Sequence, residues 1–278
     1  MFWPRCVMLL SLAGVAQAES QGYLLGAGLE SASDDGWRAA VLASVGLAED
    51  TWLSASASLS EVEVPLRGNS DIVYADIELD HHFDPIGFTI GAAYWGDPDL
   101  LDSVDLRTSL YFRNDKLTLA GEFETRDFDF TIPPTDFFAG REFSFDADGI
   151  GARARFKVGQ SFSIGVSGMQ YDYSVDFNPN ENRDALRLIT VSRLGLINNL
   201  IDSRASINFA LAGGPRRWEL DFSTWEGALD QARTRSVTLR LLTPINDGID
   251  LELGLGYDDS DLYGDVTFFS VYLYFYGA

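Results

Sequence analysis

The sequence predicts an all-β protein that forms a transmembrane antiparallel up-and-down β-barrel. Three observations support this fold class. Apolar and polar side chains alternate with a period of two residues along many segments, clusters of Gly, Asn, Asp and Pro separate those segments, and no apolar stretch after the N-terminal region is long enough for a membrane helix. A barrel in a membrane needs this pattern, because one face of each strand meets lipid and the other meets the lumen.

The N-terminal region has the order of a secretory signal peptide. A single cationic residue, Arg5, precedes an apolar run from Val7 to Val15 and the small-residue triplet Ala16-Gln17-Ala18. We therefore expect a signal peptide at 1–18 and export of the protein. Residues 19–278 show no linker or break in composition, so they are expected to form one barrel domain.

The charge of the chain indicates which kinds of partner it does not bind. It has 42 acidic and 20 basic residues and a formal net charge of −22, which argues against a nucleic-acid partner. Lys116 and Lys157 are the only lysines; all other basic residues are arginines, which suit fixed ion pairs with carboxylates. The only cysteine, Cys6, lies inside the predicted signal peptide, so no disulfide or cysteine metal site is expected in the mature chain.

Alternation is clearest between Asp71 and Asp80. One face carries only aliphatic residues, and the opposite face carries Asp76, Glu78 and Asp80. The runs 104–112, 150–158 and 249–256 repeat this division. Charges opposite aliphatic residues on four strands are difficult to place in a dry core, whereas lipid outside and water inside accommodate them.

The segments between turns number 14, and short turns alternate with longer links, as in transmembrane barrels. The uncertain segment is 201–223, where Gly213-Gly214-Pro215 is either a kink in one strand or a hairpin turn. An even strand count favours 14, with 12 as the alternative. The predicted strands are 22–30, 36–47, 51–63, 71–82, 86–95, 103–113, 116–130, 141–158, 160–177, 184–194, 201–223, 231–242, 248–257 and 265–276.

The last strand carries a motif. The run from Thr267 to Tyr276 reads TFFSVYLYFY, and Gly277 and Ala278 follow it. It resembles the aromatic C-terminal strand of Gram-negative outer-membrane β-barrel proteins of the porin-like kind, although no specific subfamily is recognised. This resemblance implies a location in the cell outer membrane, contact with its lipid, and contact with the outer-membrane assembly machinery through this strand. We expect a monomer.

Aromatic residues near strand ends suggest interface belts, where amphipathic rings sit at the level of the lipid headgroups. Ordinary packing in the interior is the alternative. The residues concerned are Trp37, Trp52, Tyr94, Trp95, Trp218 and Trp225.

Charged residues on the polar faces are the candidate functional residues of the lumen. By the resemblance to porins, opposing acidic and basic walls would set ion selectivity, as charged rings do in pores generally. The alternative is that the charges pair and plug the barrel. The candidates are Asp76, Glu78, Asp80, Asp105, Arg107, Arg113, Glu122, Glu124, Arg126, Arg153, Arg155, Arg204, Arg240, Asp250 and Glu252.

The two histidines, His81 and His82, are adjacent, so only one of them reaches the lumen, and His82 shares the face of Asp76, Glu78 and Asp80. A catalytic His–Asp pair is conceivable there, but a solvated histidine is the simpler interpretation, and no enzyme is expected.

The sequence therefore predicts an outer-membrane pore for passive diffusion of small polar or ionic solutes, with no cofactor or metal. The alternative is a non-conducting structural or adhesion-type barrel whose long loops, such as 131–140, contact a ligand.

Overall fold

The computed structural model describes residues 22–64, 68–97, 101–132, 141–174, 200–228, 231–262 and 264–277. Within these ranges it contains 14 strands, and each pairs antiparallel with its neighbours in sequence order. The last strand pairs with the first, which closes the sheet into a barrel. The strands are β1 (Tyr23–Ala32), β2 (Trp37–Ala48), β3 (Thr51–Val64), β4 (Gly68–Phe83), β5 (Ile86–Asp97), β6 (Leu101–Arg113), β7 (Leu117–Ile132), β8 (Arg141–Val158), β9 (Phe162–Tyr173), β10 (Ile201–Gly213), β11 (Arg216–Gly227), β12 (Arg233–Asn246), β13 (Ile249–Ser260) and β14 (Gly264–Gly277).

The predicted fold class and the number of strands are confirmed, but one assignment was wrong. Residues 201–223 are not one strand: β10 and β11 form a hairpin with the two-residue turn Gly214-Pro215. Gly214 has a φ of 62°, a conformation that glycine adopts without steric cost. The predicted strand at 184–194 lies outside the described residues, and β9 pairs directly with β10.

Short turns between the strands are built from residues suited to them. Between β6 and β7 the side chain of Asn114 accepts hydrogen bonds from the backbone N–H groups of Lys116 and Leu117, both at 2.9 Å. Between β12 and β13, Asn246 accepts one from the N–H of Gly248 at 3.0 Å. Such side-chain bonds replace backbone pairing at a reversal. In this fold class short turns lie at the periplasmic end.

The outer face of the barrel is apolar. Ile150 is 73% exposed, Leu29 65% and Leu110 63%, and comparable aliphatic and aromatic residues repeat at every second position around the sheet. A closed sheet satisfies its backbone hydrogen bonds internally, and an apolar exterior then fits the hydrocarbon of a bilayer. The chain is therefore a membrane-spanning barrel of the outer-membrane type. Separately, no described helix is long and apolar enough to cross a membrane.

Candidate solute pathway in the barrel lumen

The predicted lumen residues all lie on the inner face of the sheet. Strand register sets this placement, because residues paired across strands share a face. Asp76 pairs with Ala93, Ala93 with Asp105, and Asp105 with Arg126. The remaining candidates follow the same parity on β4, β6, β7, β8, β10, β12 and β13: Glu78, Asp80, Arg107, Arg113, Glu122, Glu124, Arg153, Arg155, Arg204, Arg240, Asp250 and Glu252.

Two ion pairs join β4 to β6 and β7 to β8. Arg107 pairs with Asp76 across β5. Arg153 pairs with Glu122 at 3.3 Å, and its side chain remains 51% exposed. An exposed pair of this kind contributes little stability, about 0–1 kcal/mol. The Arg153–Glu122 pair instead holds two charges at the surface of the lumen, where solvent reaches them.

A third arginine is enclosed and forms what we call the Arg126 cluster. Arg126 lies 3.2 Å from Asp105 and 3.7 Å from Glu124, and its side chain is 4% exposed. Its guanidinium carbon lies 4.9 Å from the ring centre of Phe128 and 5.6 Å from that of Tyr171. Tyr171 in turn donates a hydrogen bond of 2.7 Å to Glu124. The cluster is a packed, ion-paired part of the wall, positioned toward the long-link end of β6 to β9.

A second charged network lies on β10 to β12. Arg217 contacts Glu219 at 2.5 Å, and Arg240 contacts Glu219 at 3.8 Å and Asp221 at 3.3 Å. Asn208 donates to Asp221 at 3.0 Å. Glu219 and Asp221 are not among the predicted lumen residues. Their alternate positions with Arg217 along one strand, which place all three side chains on the same face, are the signal that could have found them.

Basic side chains on the lumen face of β8 form a ladder toward the short-turn end. Arg153, Arg155 and Lys157 occupy alternate positions there. Among the described residues, Arg155 and Lys157 have no carboxylate within 4.0 Å, unlike Arg153. Nearby, Arg113 lies over the ring of Tyr111 at 5.7 Å. This wall therefore presents positive charge to the lumen.

The wall made by β13, β14 and β1 is different, because aromatic rings cover much of it. We call Phe268, Tyr272, Tyr274 and Tyr276 on the lumen face of β14 the aromatic track. Each of the first three rings occupies the space that a Cβ would need at a glycine of an adjoining strand, which explains why those neighbours are glycines. The ring–glycine pairs are Phe268 with Gly256, Tyr272 with Gly28 and Tyr274 with Gly26.

Carboxylates border the aromatic track. Tyr274 donates a hydrogen bond to Glu252 at 3.3 Å, and Tyr276 donates to Asp250 at 3.1 Å. The rings of Tyr272 and Tyr274 are stacked, with centroids 6.3 Å apart and an interplanar angle of 13°. In the sequence these tyrosines indicate only the aromatic motif of a C-terminal strand. Their relation to the glycines needs strands from opposite ends of the chain and was not visible in the sequence.

The histidines lie on opposite faces, as predicted. His82 is on the lumen face and stacks on Tyr111, with ring centroids 5.8 Å apart. His81 hydrogen-bonds through Nδ1 to the Thr51 hydroxyl at 2.8 Å and packs near Phe83. Asp80, the carboxylate nearest in sequence to His82 on that face, accepts hydrogen bonds from Tyr111. Within the described ranges, no group of three His, Cys, Asp or Glu side chains is arranged to hold a metal ion.

The predicted aromatic belts are only partly correct. Trp37 and Trp218 lie on the outer face, 38% and 42% exposed, and Tyr94 shares that face. Trp95 is instead buried at 8% on the lumen side, and Trp225 packs against the Met169, Tyr171 and Ile201 cluster. Trp52 pairs with Asp80 and therefore also faces inward. Consecutive residues of a strand, such as Tyr94 and Trp95, face opposite sides of the sheet. A position near a strand end therefore does not show whether an aromatic ring faces lipid or the lumen.

Comparisons with known proteins identify the fold. No protein-family model matches this chain, and no curated protein matches it. A loop L8 deletion mutant of OmpT, an outer membrane protein of Vibrio cholerae, has a TM-score of 0.52 at 11% identity, covering 93% of this chain and 99% of that chain. Outer-membrane expressed OmpT of the same organism has a TM-score of 0.52 at 11% identity, covering 93% and 97%. A structure described as KdgM porin has a TM-score of 0.47 at 9% identity, covering 91% and 98%. The two OmpT structures show that this chain has the fold of an outer-membrane β-barrel.

Proposed function

We propose that this protein is an outer-membrane channel through which small polar or ionic solutes diffuse passively. The observation that carries the proposal is the partial exposure of charged side chains on the inner face of a closed barrel. The side chains of Arg153, Arg217 and Arg240 are 51%, 43% and 41% exposed. Charges inside a closed sheet retain that exposure only where there is aqueous space beside them.

The width of the barrel supports the same function. About eight strands make an interior that side chains alone can fill, and this barrel has 14. The Arg126 cluster fills part of the additional space on the β6 to β9 side. The lumen face of β3 carries the serines at 54, 56, 58 and 60, whose short side chains leave room for a pathway on that side.

The charged lumen would set which ions pass. The ladder of Arg155 and Lys157 on β8 lies across the barrel from β1 and β14, and the carboxylates Asp250 and Glu252 lie on the neighbouring strand β13. Separated walls of opposite sign produce a field across the pore, and charged rings of this kind govern selectivity in channels. Most of the remaining charges are paired, so we expect only modest selectivity.

Single-channel recording of the purified protein in a planar bilayer tests the proposal. Stepwise conductance in potassium chloride is the expected result, and a salt gradient across the bilayer then measures the ratio of cation to anion permeability. Absence of steps from protein that is shown to be folded and inserted would refute the channel and favour a non-conducting structural or adhesion-type barrel.

A further inference from the structure

We propose that the aromatic track on β14 is a binding path for neutral carbohydrates, such as short oligosaccharides, within the channel. The inference rests on the proposed function, since it names the solute class for that pathway. The track is long: Phe268 and Tyr276 are eight positions apart, roughly 27 Å along an antiparallel strand. It therefore extends over most of the thickness of a bilayer.

The rings of the track are oriented as platforms. Tyr272 and Tyr274 rest over Gly28 and Gly26 of β1 in the positions that Cβ atoms would otherwise fill. One side of each ring is therefore packed against the wall, and because both tyrosines are only half-buried, the other side faces the lumen. A flat aromatic face binds the C–H face of a sugar ring by dispersion and weak C–H contacts, without requiring any charge on the solute.

Polar groups along the edges of the track supply hydrogen bonds to sugar hydroxyls. Glu252 and Asp250 lie at the hydroxyls of Tyr274 and Tyr276. An ionised carboxylate has about four lone-pair sites, so each can accept a further donor beside the tyrosine hydroxyl. Among the described residues the hydroxyl of Tyr272 has no hydrogen-bond partner, which leaves it available to a ligand.

The charges around the track favour a neutral solute over an anionic one. Charged groups of both signs surround Tyr272: Glu252 and Glu30 are acidic, and Arg38 and Arg240 are basic. Glu30 of β1 and Arg38 of β2 are opposite each other in the strand register and carry opposite charges. A carbohydrate with aromatic-compatible faces and donor hydroxyls at its edges matches this set of groups.

Current block by maltotriose in a planar bilayer tests the inference, together with a titration of maltotriose against the purified protein followed by its intrinsic fluorescence. The fluorescence titration does not depend on conduction. We expect maltotriose to interrupt the current reversibly. Tyr272→Ala and Tyr274→Ala should each weaken its affinity about fivefold, as expected for loss of one aromatic contact. Tyr274→Phe, which keeps the ring, should lose less.

A matched control lies on the same strand. Phe269 and Phe275 face lipid, at 50% and 40% exposed, so Phe269→Ala and Phe275→Ala remove aromatic rings of β14 without touching the lumen. Neither should change the affinity for maltotriose. Folding of every variant is checked by the mobility shift that a folded barrel shows on an unheated gel.

The outcomes separate this inference from the proposed function. A channel that conducts but shows neither block nor binding, or whose block is the same in the Tyr→Ala variants, overturns the carbohydrate path and leaves the channel standing. A silent protein that binds maltotriose through the two tyrosines supports the path and refutes the channel. A folded protein that neither conducts nor binds refutes both.

Discussion

Gly28→Ala tests whether the close fit between an aromatic ring and a glycine holds the barrel wall together. The Cβ added at Gly28 would overlap the ring of Tyr272, with Cδ1, Cε1 and Cγ as its nearest atoms. The ring must then move off the wall into the lumen, or β1 and β14 must shift apart at the seam where the barrel closes. Overpacking of this kind costs about 1–3 kcal/mol.

The lower conformational cost of alanine in a strand acts in the opposite direction, toward a higher free energy of unfolding. Alanine is favoured over glycine in a strand by about 0.5–1 kcal/mol, so the net loss at Gly28 is about 0–2.5 kcal/mol in the free energy of unfolding. Gly121→Ala is the control without the clash, because Gly121 is on the lipid-facing side of β7 and no protein atom lies within 4 Å of the Cβ that it would add. Gly121→Ala should therefore be neutral or slightly stabilising, and the two variants should differ in sign.

Urea-induced unfolding of the barrel in lipid vesicles, followed by tryptophan fluorescence, measures both variants. A double-mutant cycle strengthens the test: in a Tyr272→Ala background, Gly28→Ala should lose its penalty and behave like Gly121→Ala. If Gly28→Ala unfolds at the same urea concentration as Gly121→Ala, or if the cycle shows no coupling, then the packing of the ring over the glycine does not stabilise the seam.

Three further predictions concern the walls of the barrel. Arg126→Leu removes the cation from between two enclosed carboxylates and should lower the free energy of unfolding by about 3–5 kcal/mol in the same vesicle assay; a loss below 1 kcal/mol would show that water reaches those carboxylates. The double variant Arg155→Ala/Lys157→Ala removes unpaired positive charge from the lumen, so the reversal potential in a salt gradient should shift toward cation selectivity, and an unchanged potential would place the ladder off the conduction path. Ile150→Arg puts a charge on the lipid face at the middle of β8 and should lower the free energy of unfolding in vesicles by about 2–4 kcal/mol. Ile150→Val should be close to neutral, and equal stability of the two variants would contradict the membrane placement of that face.

Much of the fold could be predicted from the sequence because its signal is local. The two-residue repeat of a strand is visible within one segment, so Asp76, Glu78 and Asp80 could be assigned to the lumen before any pairing was known. Turn residues are equally local, as Asn114 shows. The one wrong strand assignment arose where local signals conflict, since Gly214-Pro215 fits a bulge in one strand as well as a turn between two.

What the sequence by itself determined is therefore which side chains face inward and which face lipid, because strand geometry alternates them whatever the neighbours are. Only the tertiary structure decided what those side chains meet. Closure of the barrel brings β14 against β1 and sets Tyr272 over Gly28, and two intervening strand pairings bring Tyr171 of β9 to Glu124 of β7. Register is a property of paired strands, and the residues that it brings together come from distant parts of the chain, so no single segment carries the information.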